Sequence, residues 1–422
     1  MTALSAADIR RRYLLLVGLR WLPVGLLMPI FVLLPLSRGL SLTEIGLVFA
    51  LQGLVVLALE LPTGGLSDSL GRKPVLIVAY CVALVSMGLF AVADSAAMFA
   101  AAMILQGVFR ALDSGPLEAW FVDATLAVQP GARIEEGLAR GSTVLGVTIA
   151  SGALASGALV AVQPIPGMDP LLLPLVLAVA IALLNLAAIV TRMAEPPRAR
   201  DRGAVVASVR AVPGVMADGV RLLRSSVVLR ALVAVELFWG FSMATFESLV
   251  PVRMSELVGG TEAAAAVMGP VTSGAWLAAA GGAAGVALVS NRIGVARTAG
   301  LLRIVQGMTV VAMGLLAGVA GVVIAYLACY AAHGASNPMH TTLLHRQVDE
   351  GHRTTILSLN SMVAQPAGAL GLILLAALAD ATSVATAMVL GGLICAAAAP
   401  LYLPARRAEL AARTPRTEAA AA

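Results

Sequence analysis

Gly64-Gly65-Leu66-Ser67-Asp68-Ser69-Leu70-Gly71-Arg72-Lys73 lies at the junction of two long apolar runs, 43–67 and 74–93, and packs glycines, one acid and two bases into a short turn. A weaker copy, Ser290-Asn291-Arg292-Ile293-Gly294, stands 223 residues later, between the runs 264–289 and 298–318. Asp113-Ser114-Gly115-Pro116 likewise matches Ala335-Ser336-Asn337-Pro338 at an offset of 222. Downstream of these, Glu135-Glu136-Gly137 matches Asp349-Glu350-Gly351. Any single match is within reach of chance in a low-complexity apolar chain. Three in the same order argue for a duplicated unit.

Working outward, the 422 residues are 59% apolar, and 28 Lys+Arg with 23 Asp+Glu make up only 12%. A soluble domain carries roughly 25% charged residues, and a bilayer-spanning helix takes roughly 20 apolar ones. The composition therefore excludes a soluble enzyme, a disordered tail and a nucleic-acid binder. It predicts an all-α membrane protein with twelve spans, at 13–36, 43–67, 74–93, 96–121, 138–162, 170–191, 228–251, 264–289, 298–318, 320–344, 354–378 and 383–404. The expected organisation is two pseudo-symmetric six-helix bundles, 1–191 and 228–404, with a basic cytoplasmic linker at 192–227 and a tail at 405–422.

Short cytoplasmic loops retain Lys and Arg. With both termini inside, the inner face holds Arg10 to Arg12, Arg72, Lys73, Arg133, Arg140, the linker arginines, Arg230, Arg292, Arg297, Arg346, Arg353 and the tail. Only Arg38 and Arg253 fall outside, and Arg20, Arg110 and Arg303 lie within spans. The net charge of +5 thus marks topology, with no polyanion implied. A lipid-surface helix over 204–224 is a further expectation for the linker.

Cys81, Cys329 and Cys395 sit apart in apolar runs, so neither a disulfide framework nor a metal spacing is expected. The first apolar run is too long for a cleavable signal. No P-loop, G-x-S-x-G or H-E-x-x-H occurs, so no enzymatic activity and no cofactor are expected.

The Gly64 to Lys73 stretch resembles the G-x-L-a-D-r-x-G-r-[RK] loop of the major facilitator superfamily. Glu60-Leu61-Pro62-Thr63-Gly64-Gly65, with Arg110 and Gly115-Pro116-Leu117-Glu118-Ala119-Trp120, resembles a drug-efflux-like subgroup of it. The resemblance implies the two-bundle fold and alternating access by rocking of the bundles. It departs at Ser69, where a basic residue is usual, and on span five, which has Gly141, Gly146, Gly152 and Gly157 but no proline. Antiport, uniport and symport stay open on that account.

Within the loop, Gly64, Gly65, Asp68, Gly71, Arg72 and Lys73 form a candidate conformational latch, Asp68 facing the positive N-terminus of a neighbouring helix. Arg72 and Lys73 are equally read as topology markers. Ionisable residues inside a bilayer are costly and mark function by default. Glu60, Arg110, Asp113 and Glu118 are the proton-coupling candidates, Arg110 sharing a face with Asp113 at i, i+3. For Glu118, beside an anchoring Trp120, a structural network is the stronger reading. The cavity candidates are Arg20, Glu236, Trp239, His333 and His340. Acidic groups among aromatics suit a cationic or amphipathic substrate. No metal site is expected from the histidines, and His345 and His352 read as interfacial.

Together these residues predict a secondary transporter of a bacterial inner membrane, functional as a monomer. It would export a small amphipathic organic compound, such as a drug, in exchange for protons. Uptake of a nutrient is the alternative, and a non-transporting sensor a more distant one. The expected partners are a small-molecule substrate, protons and the lipid bilayer, with no nucleic acid.

Overall fold

The computed structural model describes residues 5–195, 226–348 and 353–413, with 210, 214, 217 and 219–224 between them. Within this set the side chains at 60–62, 64, 65, 67–69, 353–355, 358, 412 and 413 are outside the description. The expectations for Glu60, Asp68, His352 and the linker helix fall largely on such positions.

Every regular element among the described residues is helical, as an apolar chain without water to satisfy its backbone requires. The helices are α1 (Ala6–Leu27), α2 (Leu33–Ser37), α3 (Leu42–Leu70), α4 (Arg72–Val92), α5 (Ala96–Asp113), α6 (Pro116–Val128), α7 (Ile134–Val162) and α8 (Leu173–Arg192). They continue with α9 (Val227–Ala244), α10 (Val250–Val258), α11 (Thr261–Ile293), α12 (Val295–Leu315), α13 (Val319–His345), α14 (Arg353–Ala381), α15 (Val384–Ala397) and α16 (Leu403–Arg413). Eleven stretches among the described residues are long and apolar enough to cross a membrane, where the sequence predicts twelve. The difference is α1, which carries Asp8, Arg10, Arg11, Arg12 and Arg20 and ends at Leu27, short of the expected 36.

Two compact units emerge. One comprises Met1–Val212 with Met254–Trp276, the other Pro213–Arg253 with Leu277–Ala422. The sequence reading assigned 254–276 to the second half. In the first unit a Cβ on Gly269 would lie 2.5 Å from the Gly157 Cα, so α7 and the start of α11 touch backbone to backbone. Small residues make such contacts possible. The same device packs α1 on α7, where a Cβ on Gly25 would meet the Ile149 carbonyl oxygen at 2.3 Å.

The duplication read from the sequence has a structural counterpart at both ends of one helix per unit. Gly71 precedes α4 with φ 91° and ψ 157°, and Gly294 precedes α12 with φ 91° and ψ 153°. A positive φ favours glycine because it has no Cβ. Each turn exposes two helix-start amides to a carboxylate from the end of its own unit. Glu195 accepts from the Arg72 and Lys73 amides at 2.9 and 3.0 Å, and Glu409 from those of Val295 and Ala296 at 3.2 and 3.1 Å. At the other end, Arg38 donates to the Ala91 carbonyl at 2.7 Å and to that of Ala93, while Arg253 donates to the Leu316 carbonyl at 3.1 Å. Ala93 and Leu316 are again 223 apart.

An anion at the start and a cation at the end both oppose the helix dipole and satisfy orphan backbone groups. The two arginines expected on the outer face are therefore helix clamps. Glu195→Gln and Glu409→Gln should each lower stability by about 1–2 kcal/mol, the upper part of the range for such charges. Thermal unfolding of the purified protein reads this, and an unchanged midpoint in both variants would remove the clamp from the account.

Candidate functional site

In the first unit the polar centre forms where span four breaks. The sequence predicts an unbroken run over 96–121, but α5 stops at Asp113 and α6 restarts at Pro116. Gly115 takes φ 93° there, and Pro116 at the first helical position has no amide to lose. The matching Ser336-Asn337-Pro338 stays inside α13, because Asn337 keeps a helical backbone. The break leaves an exposed carbonyl end on α5 and an amide end on α6, close together in the membrane.

Arg20 on α1 answers both. Its Nε lies 2.7 Å from Asp113 Oδ2, and its Nη2 donates to the Asp113 carbonyl at 2.9 Å. Its Nη1 reaches Glu118 Oε1 at 3.1 Å, and Glu118 sits in the first turn of α6, where an anion is favourable. The Asp113 side chain is 7% exposed and that of Glu118 41%. Asp113 Oδ1 has no hydrogen-bond partner among the described residues. Tyr80 on α4 and Asn185 on α8 are buried beside the cluster.

One expectation is sharpened here and one corrected. Arg110 is exposed on α5 and acts on Asp113 only through space, while the direct, buried partner of Asp113 is Arg20. Trp120 is not an interfacial anchor. It is 2% exposed and its Nε1 donates to the Ala194 carbonyl at 2.9 Å. Arg72 and Lys73 also have specific partners beyond the lipid, Arg72 pairing with Asp123 and Lys73 donating to the Val190 carbonyl at 2.7 Å. Gly64 and Gly65 lie in the last turns of α3, with Glu60 and Asp68.

The second unit holds a separate centre. Glu236 on α9, 5% exposed, lies 3.2 Å from His340 Nε2 on α13. Asn360 Oδ1 on α14 is 3.3 Å from the same nitrogen, and the Tyr402 hydroxyl is 2.9 Å from Nδ1. With two acceptors at Nε2, that nitrogen carries the hydrogen in neutral histidine, and Tyr402 donates to Nδ1. Glu236 is thus engaged by His340.

His333, one face and seven residues earlier, belongs to a different group. Its ring stacks with Trp239 at 5.7 Å and 11°, near Phe246 and Tyr330. Phe246 sits in a π-helical segment, Thr245–Leu249, that interrupts the expected span 228–251. Such segments often accompany functional sites. Arg303 on α12 lies over the Trp239 ring, its guanidinium 5.7 Å from the centroid, and donates to Gln306 Oε1 at 2.8 Å. Sequence reasoning missed Gln306 and gave Arg303 no role. Their i, i+3 spacing inside a span was the available signal. Among the described residues, no group of three His, Cys, Asp or Glu is placed to hold a metal.

Comparison with known proteins bears on the family and the fold. The profile described as Major Facilitator Superfamily matches residues 13–372. A protein of Bacillus subtilis (strain 168), described as the uncharacterized MFS-type transporter YxaM, is 31% identical over 103 residues. That match spans 24% of this chain and 26% of the relative's length. The crystal structure of the nucleoside transporter NupG superposes with a TM-score of 0.76 at 11% identity, covering 94% of this chain and 98% of that one. A bacterial homologue of the human lysosomal transporter Spinster, in an inward-facing and occupied conformation, gives 0.72 at 14% identity, covering 95% and 96%. At such identities these structures establish the fold alone.

Proposed function

This chain belongs to the Major Facilitator Superfamily, and from that premise we propose that it is a proton-coupled secondary transporter exporting a small amphipathic organic compound by alternating access. In this reading it spans a bacterial plasma membrane twelve times as a monomer, with both termini cytoplasmic. The bundles are 1–191 and 228–404, joined by the linker 192–227 and followed by the tail 405–422.

The observation that carries the reading is the charge balance at the broken helix. One guanidinium, Arg20, faces two carboxylates, Asp113 and Glu118, and the buried one has an oxygen without a partner among the described residues. A net charge within a bilayer is expensive. One proton makes the cluster neutral, so Asp113 and Glu118 with Arg20 form the coupling site. Arg110, exposed on α5, contributes positive potential from a distance, and Glu60 is a further carboxylate of the same half. Gly64, Gly65, Asp68, Gly71, Arg72 and Lys73 serve as the latch of the closed cytoplasmic side, Arg72 and Lys73 through the contacts described above. Arg20 in the first unit, and Glu236, Trp239, His333 and His340 in the second, are the substrate-contacting candidates.

A drug-susceptibility panel in a pump-deficient bacterial host, with and without a protonophore, tests this. Resistance to at least one amphipathic compound is expected, and loss of that resistance with the protonophore. No shift for any compound favours the second reading, uptake of a polar nutrient. That reading draws on Arg303, Gln306, His340 and Asn360, which give the second unit a more polar interior than a hydrophobic substrate calls for.

A further inference from the structure

The helix α16 carries Arg406, Arg407, Glu409 and Arg413 within 11 residues, too many charges for hydrocarbon. It continues the chain from α15 through the turn Ala399–Tyr402, and so begins where the last apolar run gives out. One of its faces belongs to the protein. Ala405 is 4% exposed, and Glu409, four residues on, accepts from the Val295 and Ala296 amides and from Arg346 at 2.8 Å. These contacts hold α16 against α9 and α12.

The opposite face runs Leu403, Arg406, Arg407 and Leu410, the i, i+3, i+4, i+7 spacing that joins four side chains into one helical stripe. Leu403 is 44% exposed and Leu410 53%, and both arginines are exposed. Among the described residues neither guanidinium has a hydrogen bond or an ion pair, whereas Glu409 is taken up by Arg346 and the start of α12. Arg292, Arg297 and Arg346 add positive potential at the same end of the unit, so Glu409 does not balance the face through space either.

A helix face turned to water has no use for two leucines, and one sunk in hydrocarbon has no use for two free arginines. The combination suits the boundary between them. There leucine enters the acyl edge, and arginine lays its apolar stem alongside while its head reaches the phosphates. The position at the end of a membrane-spanning run makes anionic headgroups the nearest acceptors.

We infer that α16 is an interfacial helix, and that its face of Leu403, Arg406, Arg407 and Leu410 binds the headgroup of an anionic phospholipid. Because the same helix delivers Glu409 to the start of α12, the lipid supports that clamp from outside. The inference goes beyond the transport reading and holds whichever compound is carried.

The test titrates the purified full chain in neutral detergent with dihexanoyl phosphatidylglycerol, and in parallel with dihexanoyl phosphatidylcholine and with inorganic phosphate. The shift of the unfolding midpoint with ligand concentration gives each affinity. Phosphatidylglycerol should raise the midpoint, phosphatidylcholine much less, and phosphate not at all over the same range. Arg406→Gln with Arg407→Gln should weaken phosphatidylglycerol about 10–30-fold, the size expected for two guanidiniums at an anionic surface. Leu403→Ser with Leu410→Ser should weaken it roughly 3–10-fold through the lost apolar contact. Arg11→Gln with Arg133→Gln, which removes the same charge from other exposed sites, should leave the affinity unchanged. Equal shifts from all three ligands overturn the inference. So does an Arg406 and Arg407 variant that binds like the unaltered chain, or a control pair that loses as much. A dimer that Leu403→Ser with Leu410→Ser dissociates would also overturn it, assigning the face to a second copy of the chain.

Discussion

Arg20→Met is expected to destabilise the first unit by about 3–5 kcal/mol, the cost of stranding a buried charge. Methionine fills much of the same volume, so the loss is electrostatic rather than a cavity. Arg20 makes a 2.7 Å ion pair with Asp113, a 3.1 Å contact with Glu118 and a 2.9 Å hydrogen bond to the carbonyl that ends α5. Without it two carboxylates face each other across the break and the carbonyl loses its donor. Thermal unfolding and the yield of folded protein would report the change. The double variant Arg20→Met with Asp113→Asn should recover part of it, because contacting residues are non-additive. Full additivity would show that the pair does not hold the break together.

Asp113→Asn carries the second large effect, on coupling rather than stability. The amide oxygen can still accept from Arg20, so the structural contact survives, but the group no longer exchanges a proton. Substrate exchange in vesicles without a gradient should persist, while substrate-driven proton movement and accumulation against a gradient should disappear. A pH-sensitive dye and a counterflow assay on the same vesicles read the two quantities separately. Unaffected coupling would remove Asp113 as the proton carrier and shift attention to Glu118 and Glu60.

These two residues show how unevenly the site could be read in advance. Asp113 and Arg20 were both conspicuous as charges inside apolar runs, yet nothing in their positions, 93 residues apart, pairs them. Arg110 is the neighbour that helical spacing points to, because spacing is visible in a sequence and packing between helices is not. Arg303 was visible for the same reason as Arg20. Its contacts with Trp239 and Gln306 emerge only once the helices pack. Glu195 and Glu409 gave no signal at all. Each is a surface-type acid at the end of its unit until the chain returns it to a helix start.

The Gly64 to Lys73 stretch, its second copy and the apolar runs around them determine by themselves that the chain is helical, membrane-spanning and duplicated. Those properties follow from local composition and spacing, since a helix satisfies its own backbone and the bilayer sets its length. The tertiary structure alone decides that span four breaks at Gly115 while its copy at Asn337 stays helical. It also decides that Arg20 bridges the break, and that Arg303 lies over Trp239 and donates to Gln306. Each depends on which side chain a neighbouring helix delivers. In a medium without water, the charge of a site is set by those long-range partners rather than by any single residue.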